Sequence, residues 1–241
     1  MIKATDTLTA GEAVTLAEPG AIEIVIFDCD GVLVDSERIS NEVLAKVLGE
    51  YGISLSWGEA KAIFIGQSVD DIRRNAATRF GIEMPPDWSD AYYERMIPAL
   101  SERVEAIEGA TEAVRAVQSA GIGRCVASQG PIEKIRATLS RTGLWERFDG
   151  RIYSATAVAR PKPAPDLFLH AATDLGVAPD RCLVIEDSVL GVRAAVAAGM
   201  RVLAYCPEGN DGDMRSLGAI PFSSMHDVAA LLGIAAAQLS D

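Results

Sequence analysis

The sequence predicts an α/β fold: a parallel sheet between helical layers, with a second, all-helical unit inserted after the first strand. Three observations predict it. Short β-branched runs such as Ile24-Val25-Ile26-Phe27 read as buried parallel strands. Such runs alternate with amphipathic helical segments, as in right-handed βαβ crossovers. Between Ser36 and Arg103 the strand-like runs stop and only helical periodicity remains.

Taken in order, residues 1–21 form an N-terminal extension of weak periodicity, either a disordered arm or a short element laid on the core. The strand Glu23 to Phe27 follows and stops at Asp28-Cys29-Asp30-Gly31. From Ser36 the period changes: Ile39, Val43, Leu44, Val47 and Leu48 recur at helical spacing, so Ser36 to Glu50 is a helix ended by Gly49 and Gly52. Helices are also expected over Trp57 to Ile65, Ser68 to Phe80 and Ser89 to Glu102, with Gly66, Gly81 and Pro85-Pro86 as breaks.

After Gly109 the alternation returns. Helix Ala110 to Ala120 precedes strand Gly123 to Ala127, which ends at Ser128-Gln129-Gly130. Pro131 then opens helix Ile132 to Arg141 at a position that tolerates proline. Strand Arg151 to Ser154 and the rigid loop Lys162-Pro163-Ala164-Pro165 lead into helix Asp166 to Leu175. Strand Arg181 to Ile185 ends at Glu186-Asp187, and Asp187 or Ser188 caps helix Val189 to Ala198. Strand Arg201 to Tyr205, an exposed loop Pro207 to Asp213 and a closing helix Met225 to Leu232 complete the chain. The expected organisation is a three-layer, Rossmann-like core of residues 22–35 and 104–241. A helical cap of residues 36–103 is inserted with hinges near Leu33 to Ser36 and Val104 to Gly109.

Composition narrows the function classes. A net charge of −12 with no basic cluster argues against nucleic acid and anionic membranes as partners. No apolar run is long enough to span a bilayer, and the opening MIKATDTLTAGEAVTLAEPG lacks a signal-peptide pattern. Cys29, Cys125, Cys182 and Cys206 are widely spaced, with no CxxC, and read as buried free thiols. A cytoplasmic location is therefore expected. With His170 and His226 as the only histidines, zinc and histidine-triad chemistry are poorly supplied. The chain is expected to be a monomer or weak homodimer, with Ala235 to Leu239 apolar enough to pack.

Polar residues are expected at four strand ends: Asp28 with Asp30, Ser128, Lys162, and Glu186 with Asp187. Singly, each has an ordinary reading as a turn, a cap or solvated surface. In a parallel sheet they share one crevice, where open α/β sheets bind ligands. Clustered carboxylates need a cation, and an oxygen-only donor set suits Mg²⁺. Asp28 is then placed to attack phosphorus and form an aspartyl-phosphate while also ligating the metal. Asp30 is placed to protonate the leaving oxygen and later activate water. Lys162 and Ser128 would contact non-bridging phosphate oxygens, helped by backbone N–H groups around Cys29 to Gly31 and Gln129 to Gly130.

Asp28-Cys29-Asp30-Gly31-Val32-Leu33-Val34-Asp35-Ser36, Ser128, Arg160-Pro161-Lys162-Pro163 and Glu186-Asp187-Ser188 together resemble the four motifs of the haloacid dehalogenase superfamily, in its phosphatase and phosphomutase branch. The resemblance runs from Ile24 to about Tyr205. It implies Asp28 as nucleophile, Asp30 as acid–base with its backbone carbonyl on Mg²⁺, and Asp187 as a metal ligand. It also implies that Glu186 contributes directly or through water, and that a small helical cap closes over the site. The branch resembled most holds β-phosphoglucomutase and small sugar-phosphate phosphatases, with some features of bacterial 6-phosphogluconate phosphatases at Glu108-Gly109, Ser128-Gln129-Gly130 and Pro207 to Asn210.

The mutases place a His near Ser40 and an Arg near Val69, and this chain has neither, which favours hydrolysis over transfer. The second carboxylate, Asp30, argues against C–halogen cleavage, and Lys61 reads as surface rather than as a Schiff-base lysine. Substrate choice is expected from Glu37, Asn41, Gln67, Ser68 and Arg73 in the cap and from Gln129 in the core. Gln67-Ser68 is preferred, each single residue being almost as readily an inter-helix turn. The expectation is thus a Mg²⁺-dependent phosphatase of a small phosphorylated metabolite, a sugar or polyol phosphate. A β-phosphoglucomutase-like phosphomutase is the alternative, and a non-enzymatic binding module a third reading.

Overall fold

The computed structural model describes residues 22–64, 67–209 and 211–234. The N-terminal extension, Ile65 with the Gly66 break, Asn210 and the Ala235 to Leu239 segment lie outside them. The strands are β1 (Ile24–Phe27), β2 (Gly123–Ser128), β3 (Ile152–Ser154), β4 (Cys182–Glu186), β5 (Arg201–Tyr205) and β6 (Ile220–Phe222). They form one sheet in the order β3-β2-β1-β4-β5-β6, parallel throughout. β1 is central, and the strand order reverses direction on either side of it. That is the switch point at which a crevice opens at the carboxyl ends of the strands.

The side-chain period of two divides the core into two layers. Val25, Phe27, Val126, Leu183, Ile185 and Leu203 face one apolar cluster; Ile24, Ile26, Cys125, Ala127, Val184 and Val202 face the other. Helices α1 (Glu37–Glu50), α2 (Trp57–Phe64), α3 (Val69–Phe80) and α4 (Trp88–Arg103) form the insertion between β1 and α5 (Ala110–Ser119). The remaining helices are α6 (Ile132–Arg141), α7 (Asp166–Asp174), α8 (Val189–Ala197), α9 (Gly212–Ser216) and α10 (Val228–Leu231). Within the insertion α1 packs on α2 and α4, and α4 packs on α6 of the core. Ile39, Leu44, Trp88 and Leu100 of the insertion belong to the same apolar cluster as Phe27.

The segments flanking the insertion pair with each other. Asp35 N donates to Glu105 O at 2.9 Å, Ile107 N donates to Leu33 O at 3.0 Å, and Val34 bridges Ala106 antiparallel. Both connections therefore leave the sheet side by side, next to the acidic loop.

Some elements differ from the sequence expectation. β6 is an additional strand; it has three residues and contains Pro221, so it reads as non-strand until its edge position is known. The loop from Pro207 turns into α9 at Gly212. The single closing helix is a 3₁₀ turn, Met225–Asp227, followed by α10. Ser188, not Asp187, caps α8, accepting from Gly191 N at 3.0 Å.

Candidate active site

β1 ends at Phe27, and the next residues turn back on themselves. Leu33 N and Val34 N both donate to Cys29 O, at 3.0 and 3.1 Å, and Gly31 N donates to Val34 O at 2.9 Å. Gly31 has φ of 82°, a left-handed conformation that glycine adopts without steric cost. The turn sets Asp28 and Asp30 at the mouth of the crevice, with the Cys29 side chain buried between them.

Lys162 reaches the crevice from the loop before α7. Its ammonium donates to Asp28 Oδ1 at 2.6 Å, Glu186 Oε1 at 2.7 Å and Ala127 O at 3.1 Å. An ammonium has three protons, so all its donors are used. The charge is desolvated, but Asp28 and Glu186 outweigh that cost and raise the Lys162 pKa. Glu186 Oε2 accepts from Asp187 N at 3.0 Å, Ser188 N at 2.9 Å and Ser188 Oγ at 2.9 Å, so both its oxygens are occupied.

Asp28 is raised to about 7, chiefly by burial, with Lys162 opposing and Glu186 and Asp30 adding to the rise. Asp187 is raised well above the ordinary carboxyl range by burial and then by Glu186 and Asp28. Among the described residues its carboxyl has no hydrogen-bond partner. It rests against the backbone of Gly31, where a Cβ would stand 2.0 Å from Asp187 Oδ2.

Asp30 is held differently. Burial opposes its ionisation, but the Lys134 ammonium, a hydrogen bond from it at 2.8 Å and one from Ser36 Oγ hold the carboxyl below its ordinary value. The sequence alone does not mark Lys134, in the first turn of α6, or the Ser36 hydroxyl as site residues. Lys134 directly precedes Ile135 on the buried face of α6, with Thr138 and Leu139 one turn on, and that adjacency is its only local signal. Ser36 occupies the N-cap place of α1 yet gives its hydroxyl to Asp30 rather than to the helix.

The structure thus brings Asp28, Asp30, Lys162, Glu186 and Asp187 to one crevice. Ser128 lies at the end of β2, fully buried, its Oγ accepting from Gly130 N at 3.1 Å. Gln129 clasps the Lys162 loop: its Oε1 accepts from Lys162 N at 3.0 Å and its Nε2 donates to Lys162 O at 3.4 Å. In the insertion Glu37 pairs with Lys61 at 2.7 Å, and Gln67 donates to Ile63 O at 2.8 Å and accepts from Asn75 at 3.0 Å. Ser68 caps α3 in a capping box with Asp71.

A divalent cation fits this donor set. Among the described residues no three His, Cys, Asp or Glu side chains form a ready cage. The side-chain oxygens that could meet a cation here are those of Asp28 and Asp187, whose charges act on each other; the Asp30 main-chain carbonyl is the further ligand that the resemblance implies. Two carboxylates that leave room for water and phosphate match Mg²⁺, which seldom takes an all-protein cage. The unpartnered Asp187 and the raised Asp28 and Asp187 are the features a bound cation would satisfy.

Residues 25–205 match the haloacid dehalogenase-like hydrolase family. The 6-phosphogluconate phosphatase of Escherichia coli (strain K12) is 31% identical over 188 residues, 78% of this chain and 84% of that one. Hexitol phosphatase B of the same strain is 29% identical over 223 residues, 90% of this chain and 100% of that one. A solved hydrolase of the family from Deinococcus radiodurans R1, with bound phosphate and sodium, aligns with a TM-score of 0.71 at 35% identity, over 90% of this chain and 100% of that one.

Proposed function

The chain belongs to the haloacid dehalogenase-like hydrolase family, and within it we propose a Mg²⁺-dependent phosphomonoesterase acting on small sugar or polyol phosphates. The observation that carries this reading is the pair of aspartates after β1, each with its own lysine: Asp28 on Lys162 at 2.6 Å and Asp30 on Lys134 at 2.8 Å. The similarity to a sugar-acid phosphatase and a hexitol phosphatase supports the substrate class.

In this reading Asp28 attacks phosphorus through a carboxylate oxygen. Asp30, ionised in the ligand-free site, takes up a proton as the phosphate monoanion binds and delivers it to the leaving oxygen as that bond breaks. Asp30 then takes a proton from water, whose oxygen attacks the aspartyl-phosphate; phosphate leaves and the Asp28 carboxylate returns. Asp28, Asp187 and the Asp30 carbonyl would hold Mg²⁺, with Glu186 contributing directly or through water; when bound, the ion would offset the negative charge of phosphate beside carboxylates. Lys162 exchanges one of its present acceptors for a phosphate oxygen, and Ser128 holds another. The Gly130 N–H, already donated to the Ser128 hydroxyl, orients that hydroxyl.

Substrate choice is assigned to Glu37, Gln67 and Ser68 of the insertion and to Gln129, each exchanging a present partner for the ligand. Arg73 of α3 is a further candidate: it makes no hydrogen bond or ion pair among the described residues. Transfer within one sugar phosphate is the second reading, but the insertion has Ser40 and Val69 where the mutases resembled place a His and an Arg that control closure and hold a second phosphate.

The test is phosphate release from a panel of sugar phosphates, polyol phosphates, 6-phosphogluconate, phosphoglycolate and nucleotides, with Mg²⁺ and with EDTA. Release that requires Mg²⁺ and vanishes in Asp28→Asn is expected; no release from any ester would overturn the reading. Positional exchange dependent on a bisphosphate activator would favour the mutase instead.

A further inference from the structure

We propose that Lys134 is the positioning residue of the proton-transferring aspartate: from a helix outside the four motifs it fixes the orientation of the Asp30 carboxyl group for proton transfer with the leaving oxygen and then with water. This rests on the reading of Asp30 as acid and base given above.

Four observations carry it. First, Lys162 has no donor to spare for Asp30, since its three contacts with Asp28, Glu186 and Ala127 use all its protons. Second, the Lys134 side chain is 13% exposed, and its ammonium meets Asp30 Oδ2 at 2.8 Å while Ser36 Oγ takes Oδ1. Both carboxylate oxygens are therefore held, from two elements 98 residues apart in number, Ser36 and Lys134.

Third, α6 is docked on the loop by the same face. Thr138, one turn beyond Lys134 and fully buried, lies 3.8 Å from Cys29 Sγ through its Oγ1, and that oxygen also donates to Lys134 O at 3.1 Å. Residues 134 and 138 thus meet residues 30 and 29. Fourth, the Lys134 stem runs over Gly130. A Cβ there would stand 3.1 Å from Lys134 Cδ, 3.6 Å from Ser128 Oγ and 3.8 Å from Lys134 Nζ. The ammonium therefore sits on the side of the crevice where Ser128 would hold phosphate. The groups facing Lys134 from neighbouring elements are Asp30, Cys29 and, from α4, Tyr92 and Tyr93.

A leaving-group comparison separates positioning from structural support. An aryl phosphate departs without needing a proton; an alkyl phosphate needs one. Single-turnover cleavage of p-nitrophenyl phosphate and of the fastest alkyl phosphate in the panel is measured for the full chain and for Lys134→Met, Lys134→Gln, Lys134→Arg and Asp30→Asn. Lys134→Met is expected to lower the alkyl-to-aryl rate ratio by about 10–100-fold, with Lys134→Arg restoring most of it. Lys134→Gln serves the same comparison where the thermal melt shows the Met variant unfolded. Equal losses on both esters, or no loss, overturn the proposal. Asp30→Asn that still cleaves the alkyl ester overturns the acid–base reading itself, so the two failures are distinguishable.

Discussion

Gly31 and Asp187 occupy touching positions, and the contact is possible only because residue 31 has no side chain. A Cβ built on Gly31 falls 2.0 Å from Asp187 Oδ2 and 2.7 Å from its Cγ. The turn that carries the proposed nucleophile and the carboxyl proposed for the cation are therefore coupled at one atom.

Gly31→Ala is expected to lose activity by roughly 100-fold or more, because the methyl displaces Asp187. The residue also sits at φ of 82°, where an L side chain adds strain of about 1 kcal/mol. Phosphate-release kinetics at several Mg²⁺ concentrations, with a melt in parallel, check this. An active variant with unchanged Mg²⁺ dependence would contradict the contact.

Lys162→Met leaves Asp28 and Glu186 without their shared cation in a buried crevice. Removing one partner of a buried ion pair costs about 3–5 kcal/mol. Urea unfolding is expected to show a loss of that order along with loss of activity. A neutral effect on the unfolding midpoint would place the ammonium elsewhere in solution.

In EDTA, thermal stability should depend on pH. Asp28 is raised from 3.8 to about 7 in the folded protein, and Asp187 is raised as well. For a raised carboxyl the folded state holds the proton more tightly than the unfolded chain. Its stabilisation is then complete below about pH 4 and is lost as pH rises towards 7. Over that window these two groups pull Tm down by about 5 °C or more. Saturating Mg²⁺ should abolish the fall, since a bound cation favours the ionised carboxylates. Melts at pH 5, 6 and 7.5, with EDTA and with Mg²⁺, give the comparison, and a fall equal in both would count against a cation between these groups.

The thiols should be silent in the native protein. Cys29, Cys125, Cys182 and Cys206 are all buried, and burial together with Asp30 and Asp28 pushes the Cys29 thiol well up. A thiol-reactive chromophore at pH 8 is expected to label none of the four on the kinetic timescale, and all four after unfolding. Rapid native labelling at Cys29 would show that the loop opens readily.

Much of this was legible in the chain because it is local. A run of β-branched residues, a change of period at Ser36 and the glycine and proline breaks are set by neighbours a few residues away. The strand-end polar residues could be placed together for the same reason: parallel strands carry their carboxyl ends to one edge. β6 was hidden because three residues with Pro221 in the middle pass as a strand only at a sheet edge, and edge position is a property of the whole sheet.

The sequence by itself determined the class of fold, the insertion after β1 and the chemical types gathered at the crevice. Only the tertiary structure decided who pairs with whom. Lys162 is shared between Asp28 and Glu186, Lys134 reaches Asp30 across 104 residues, and Ser36 serves Asp30 in place of its own helix. The reason is physical. A desolvated charge must find its counter-charge within a few ångströms, and which group lies that close depends on how helix faces dock, as α6 does through Thr138 on Cys29.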